Sequence, residues 1–64
     1  MADIKAAAKL LREGKKVRRA SWNEGFYLRE RPSGFIHDER GRSADWLMVE
    51  DLLEDDWEEF IWLN

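Results

Sequence analysis

The chain contains no cysteine among its 64 residues, so disulfides and thiolate metal sites cannot stabilise its fold. A domain of about 60 residues buries only about 60% of the surface that its unfolded chain exposes. Large apolar side chains therefore have to supply the core, and the chain has four Trp, three Phe and one Tyr. Each aromatic side chain buries a large area. We therefore expect one small domain, residues 1–64, suited to a reducing compartment.

The first 14 residues have the pattern of one amphipathic helix. Apolar residues recur with helical spacing from Ile4 to Leu11. Asp3 is a favourable N-cap, and Gly14 is a typical C-terminal stop. The pattern predicts a helix that begins near Asp3 and ends near Gly14.

After Gly14 the pattern changes to short alternating runs separated by turn residues, which is typical of strands. Residues 43–47 could extend the sheet, with Trp46 directed at the core. We predict an α+β fold of order α-β-β-β-short α-β, in which the N-terminal helix packs on a small antiparallel sheet. The predicted strands are residues 16–20, 26–31, 35–38 and 57–63, and the short helix is residues 49–55.

The strongest core candidates lie near the C-terminus. They are Trp57, Phe60 and Trp62, together with Val17 in the first predicted strand. In a regular strand Phe60 and Trp62 share one face and Trp57 takes the other, unless a bulge intervenes.

Charge is distributed unevenly along the chain. Residues 1–42 hold all 11 Lys and Arg against six acids, a net charge of +5, whereas residues 43–64 hold eight acids and no base, a net charge of −8. A block of one sign steers partners of the opposite sign. Alternatively, the two halves pack together and partly neutralise each other.

The residues give little support for catalysis, a metal or a cofactor. His37 is the only histidine, and we expect it to be solvated on a hairpin strand. The serines lie where turns favour them, and none has an oriented base other than His37. The terminal carboxylate run has the pattern of a solvated face, not of a catalytic pair. We expect no enzyme, no metal and no cofactor, and the apolar runs are too short for a membrane helix.

A basic cluster around the first strand offers one possible binding site. Arg18 and Arg19 can pair with phosphates, and Trp22 can stack on a base. The same residues can instead simply expose their charges to water. The net acidity of the chain argues against direct nucleic-acid binding, whereas one or two arginines suffice for a nucleotide.

The acidic block offers a second possible site. Closely spaced carboxylates on a rigid scaffold can imitate the phosphates of a nucleic acid and occupy a basic groove on another protein. We expect Asp51 and Asp56 to be structural, with Asp51 capping the short helix. The predicted contact residues are Asp45, Glu50, Glu54, Asp55, Glu58 and Glu59.

The two ends of the chain resemble a family of small phage proteins. Residues 4–23, IKAAAKLLREGKKVRRASWN, are similar to the family's opening helix followed by G-[KR]-x-V-x-R-x-x-W-N. Residues 51–58, DLLEDDWE, preceded by Trp46, are similar to its C-terminal D-x-L-x-x-D-W-E. The family includes the second class of Thoeris anti-defence proteins and a type II-A anti-CRISPR. Within this resemblance we expect Trp22 and Trp57 to pack together.

The resemblance implies a phage-encoded inhibitor of bacterial immunity that acts in the cytoplasm of the host cell. Sponge-type members bind a cyclic nucleotide signal within oligomers, but the middle of this chain, residues 29–45, is shorter than in full-length members. We therefore predict an anti-CRISPR, monomeric or a small homo-oligomer, that binds a CRISPR effector through its acidic, DNA-mimicking surface and blocks target DNA binding. The alternative is a sponge for a cyclic nucleotide, with Arg18, Arg19 and Trp22 as the binding residues.

Overall fold

The structure is a computed structural model that describes residues 2–61. Within that range an N-terminal helix packs on a four-stranded antiparallel sheet, and a short helix precedes the last strand. This arrangement confirms the predicted α+β fold and its order of elements. The elements are α1 (Ile4–Arg12), β1 (Val17–Arg19), β2 (Leu28–Glu30), β3 (Ile36–Asp38), α2 (Val49–Leu53) and β4 (Trp57–Glu59).

Helix α1 has the ends that the sequence predicts. The side chain of Asp3 accepts a hydrogen bond from the backbone N–H of Ala6 at 3.0 Å. Gly14 follows the helix with a φ of +85°, a left-handed conformation that glycine adopts without a steric penalty. Ala7 and Leu11, four residues apart, are buried against the sheet.

The sheet has the order β3-β2-β1-β4, so β1 is a central strand and pairs with both β2 and β4. Val17 lies opposite Leu28 on one side and Glu59 on the other. Directly paired residues share a face, and so do residues two apart in one strand. Trp57, two residues before Glu59, therefore lies on the same face as Val17 and Leu28, and the three side chains meet under α1. With Ala7 and Leu11 they form the buried core, which confirms Val17 and Trp57 as core residues.

The opposite face of the sheet carries a smaller aromatic contact. The rings of Tyr27 and Phe60 lie 4.7 Å apart, and the Lys16 ammonium lies 4.9 Å from the centre of the Tyr27 ring. Phe60 is therefore half-buried on the face away from Trp57, as strand alternation predicts without a bulge. The third core candidate, Trp62, lies outside the described residues.

Residues 43–47 do not form the predicted additional strand. They contribute a single bridge, between Ser43 and His37. Trp46 lies at the surface and not in the core, because its indole N–H donates to Asp38 at the end of β3. His37 is half-buried instead of fully solvated. Neither helix in residues 2–61 is long and apolar enough to cross a lipid bilayer.

Truncating a core side chain should remove a large part of the protein's stability. We expect Leu28→Ala to lower the free energy of unfolding by about 2–4 kcal/mol, because it opens a cavity under α1. A domain of this length has a total stability of roughly 3–10 kcal/mol. Urea denaturation followed by Trp fluorescence measures the change. Leu53→Ala is the matched control, because that leucine is exposed on α2, and we expect a change within about 0.5 kcal/mol.

Candidate functional site

Arg19, at the end of β1, binds two carboxylates that are far away in the sequence. Its Nη1 lies 2.7 Å from Asp51 Oδ1, and its Nε lies 2.7 Å from Asp56 Oδ1. The Asp56 hydrogen bonds, followed by those to Asp51, raise the pKa of the guanidinium above its ordinary value. Only a planar guanidinium can hold two carboxylates with this geometry. We call these three residues the Arg19 clamp.

Asp51 connects the clamp to helix α2 and to the core. Its Oδ2 accepts the backbone N–H of Met48 at 2.9 Å, which confirms the predicted capping role. Its backbone carbonyl accepts the indole N–H of the buried Trp57 at 2.8 Å. Burial disfavours the charged carboxylate, but the hydrogen bonds from Met48 and Arg19 outweigh that effect and hold the pKa of Asp51 below its ordinary value.

Trp22 connects the core to the surface. Its ring lies 5.4 Å from Trp57 and 5.3 Å from Trp46, edge-to-face in both pairs. The predicted contact between Trp22 and Trp57 is therefore confirmed. Arg18 donates to the backbone carbonyl of Trp22 at 2.6 Å and fixes the turn that carries this ring.

Asp38 organises the loop that follows β3. Its Oδ1 accepts the backbone N–H groups of Arg40 and Arg42 at 2.9 and 3.0 Å, and its Oδ2 accepts the Trp46 indole N–H at 3.2 Å. Burial opposes the charge on Asp38, but these hydrogen bonds, with that of Arg42 the strongest, lower the pKa of the carboxyl. Gly41, with a φ of +78°, allows the tight turn between the two arginines. One carboxylate thus positions two arginines and a tryptophan.

An open cavity of about 810 Å³ lies between Trp22 and the loop that Asp38 organises. This volume is within the range of about 300–1,000 Å³ that small-molecule sites occupy. Three aromatic residues, Trp22, Phe26 and Trp46, and two arginines, Arg40 and Arg42, form part of its wall. Three acids, Asp38, Glu39 and Asp45, and three neutral polar residues, Ser21, Asn23 and Ser43, complete the lining.

The chemistry of this wall suits a nucleotide. Aromatic faces stack on bases, and guanidinium groups pair with phosphates. Asp38 binds the Trp46 indole N–H and so holds this ring in the wall of the cavity. Glu39 Oε1 is buried without a hydrogen-bond partner among residues 2–61, and a buried acceptor of this kind is stabilised by any donor that reaches it.

The structure separates the three residues of the predicted nucleotide site. Trp22 lines the cavity, whereas Arg18 and Arg19 do not. Arg18 binds backbone carbonyls and lies 3.7 Å from Glu58, and Arg19 is engaged in its clamp. The sequence pattern gave no binding role to the arginines of the cavity, Arg40 and Arg42. The feature of the sequence that could have identified them is an Arg-Gly-Arg loop with an aromatic residue in the segment on each side.

The six predicted acidic contact residues are all exposed, but they lie in separate places. Asp45 lines the cavity. Glu58 and Glu59 are consecutive in β4, so their side chains point to opposite faces of the sheet. Glu50, Glu54 and Asp55 belong to α2 and the residues directly after it. Only these three form a continuous acidic segment.

The fold and the cavity define a small α+β domain with an open surface site walled by aromatic rings, arginines and acids. Residues 2–60 match the model of the Thoeris anti-defense 2-like domain, and the chain therefore belongs to this family. The match confirms the resemblance seen in the two sequence motifs. Membership supports a phage anti-defence role. No curated protein and no solved structure matches the chain significantly.

The Arg19 clamp should make stability sensitive to acid. Hydrogen bonds from Arg19 lower the pKa of Asp56, and the pKa of Asp51 is lowered as well. Both values lie below the unfolded value of about 3.9. The clamp should therefore stabilise the fold above that pH, and the stabilisation should disappear as pH falls through the folded pKa values.

We expect Asp56→Asn to be less stable than the native chain at pH 7 and to lose less stability on acidification. Urea denaturation at a series of pH values from neutral to strongly acidic measures both effects. Asp55→Asn is the matched control, because its exposed carboxylate is adjacent in sequence and outside the clamp. Equal pH profiles for the two variants would show that the clamp does not contribute.

Proposed function

We propose that this protein counters bacterial immunity by sequestering a cyclic nucleotide signal in the cavity beside Trp22. The observation that carries the proposal is the presence of three aromatic rings and two arginines around one cavity of about 810 Å³. A nucleotide offers a base that stacks on aromatic rings and phosphates that pair with guanidinium groups. Membership of an anti-defence family supports a signal of the host's immunity as the ligand.

Contacts within the protein hold the side chains and the loop around the cavity. Trp22 is held between two other rings, and Asp38 fixes the loop of Arg40 and Arg42 through its backbone. Preorganised groups lose little freedom on binding, which increases affinity. Sequestration needs no chemical step, so the protein would act in stoichiometric amounts in the host cytoplasm. Tight binding would keep the free concentration of the signal low.

Ligand binding should raise the melting temperature by mass action. At a ligand concentration of 100 times Kd, the stabilisation is about 2.7 kcal/mol. We expect a thermal shift with one or more cyclic nucleotides among cyclic dinucleotides and isomers of cyclic ADP-ribose. The double variant Arg40→Gln/Arg42→Gln should lose it, because the phosphates lose their partners.

Arg29→Gln is the matched control, because Arg29 is exposed and does not line the cavity. It should shift as the native chain does. The sponge proposal fails if none of these probes raises the melting temperature at millimolar concentration. It also fails if the cavity variant and the Arg29 variant respond alike.

A second candidate function is the acidic-surface anti-CRISPR, and a specific observation favours it. All six predicted carboxylates are exposed, although Glu58 lies 3.7 Å from Arg18. Glu50, Glu54 and Asp55 lie close together in and directly after α2, and we propose that these three would occupy a basic DNA-binding groove of a CRISPR effector. The protein would then block target DNA without binding nucleic acid itself, as a monomer or a small homo-oligomer.

Charge reversal separates the two functions. The variant Glu54→Lys/Asp55→Lys/Glu58→Lys/Glu59→Lys should fold, because these side chains are exposed. If the acidic surface acts, this variant loses inhibition of a purified effector, whereas Arg40→Gln/Arg42→Gln keeps it. The association rate of the native chain should also fall between about 50 and 500 mM salt, because salt screens exposed charges. A constant association rate over that range would contradict electrostatic mimicry.

A further inference from the structure

Helix α2 is oriented opposite to an ordinary amphipathic helix. Its apolar residues Val49, Leu52 and Leu53 are 68%, 46% and 78% exposed, whereas its acidic residue Asp51 is only 7% exposed. Val49 is three and four residues from the two leucines, a spacing that places all three on one face. A surface helix normally directs that face to the core and its charges to water.

The inner side of α2 accounts for this orientation. Asp51 has to face inward because it caps the helix at Met48 and binds Arg19 in the clamp. The aliphatic face is consequently turned outward, together with Met48, which is 59% exposed. We call Met48, Val49, Leu52 and Leu53 the α2 strip. Within residues 2–61, none of the four belongs to the buried core or to the hydrophobic residues packed against it.

An apolar patch with a charged rim marks an interaction surface more often than scattered apolar residues do. The rim of the α2 strip is acidic, since Glu50, Glu54 and Asp55 are all exposed. The chain has no Lys or Arg after residue 42, so no cation neighbours the strip in the sequence. A partner that covers the strip therefore needs apolar side chains in the middle and positive charges at the edges.

We propose that the α2 strip is a docking surface for a basic amphipathic helix of a partner protein. The helical part of the strip, in Val49–Leu53, is about 7.5 Å long at 1.5 Å per residue, and a partner helix offers an apolar stripe that can cover it. Lysines or arginines beside that stripe would pair with Glu50, Glu54 and Asp55. The surface is separate from the proposed nucleotide site, because no strip residue lines the cavity.

Charge argues against the other occupants. Two copies that pair strip to strip would bring their acidic rims together, and like charges oppose each other across an interface. A nucleic acid would be repelled by the same rim and would leave the aliphatic side chains uncovered. A basic amphipathic helix satisfies both the apolar strip and its rim.

A designed peptide tests the proposal directly. The probe is a helical peptide with Leu on one face and Lys on the other, titrated into the isotope-labelled chain and followed by NMR. We expect shifts at the α2 strip and binding that weakens by at least about tenfold in Leu53→Ser, because one buried leucine contributes about that much. The matched control Phe35→Ser should bind normally, because Phe35 is 70% exposed in the hairpin between β2 and β3.

Reversal of the rim provides a second, independent test. Glu50→Lys/Glu54→Lys should bind the Leu/Lys peptide more weakly and gain affinity for a Leu/Glu peptide. Several outcomes would overturn the proposal: no binding at millimolar peptide, equal binding by Leu53→Ser, or equal binding of a Ser/Lys peptide that lacks the apolar face. Self-association in sedimentation equilibrium that Leu53→Ser abolishes would also overturn it and assign the strip to a second copy.

Discussion

The ion pairs of Arg19 with Asp51 and Asp56 are the interaction on which the rest of the structure depends. They join the end of β1 to residues 32 and 37 positions later in the chain. Asp51 in turn caps α2, and its carbonyl holds the indole of Trp57. Partly buried ion pairs of this kind contribute little net stability, but removal of one partner leaves an uncompensated charge. The clamp therefore determines the arrangement of the C-terminal segment more than it adds stability.

Local signals in the sequence were sufficient for most of the fold. Asp3 and Gly14 define the ends of α1, and strand alternation places Val17 under the helix. The cavity could not be predicted in the same way, because the Asp38 carboxylate builds it by accepting hydrogen bonds from two backbone N–H groups and from the Trp46 indole within the next eight residues. A guanidinium suits a carboxylate as well as a phosphate. The sequence therefore could not show that Arg19 binds aspartates while Arg40 lies at a cavity.

The packing interpretation of the acidic block applies to part of it, whereas its role toward a partner stays a prediction. Asp51 and Asp56 share the single positive charge of Arg19, and Glu58 lies near Arg18, so the two halves of the chain do pack together and partly compensate each other. Glu50, Glu54 and Asp55 remain exposed around α2. The net charge of the last 22 residues thus overstates the negative electrostatic field that a partner would meet. That field is concentrated around α2.

The orientation of α2 connects stability to recognition. Because Asp51 faces inward, the aliphatic residues Val49, Leu52 and Leu53 face outward. A helix of only five residues has one buried face, and Asp51 occupies it. The same aspartate that organises Trp57, and through it the Trp22 ring at the cavity, therefore also sets the face presented at α2. A nucleotide in the cavity and a helix on the α2 strip would occupy separate surfaces joined by this one network. Any coupling between them would have to be reciprocal, because each ligand would act on the other through a shared equilibrium.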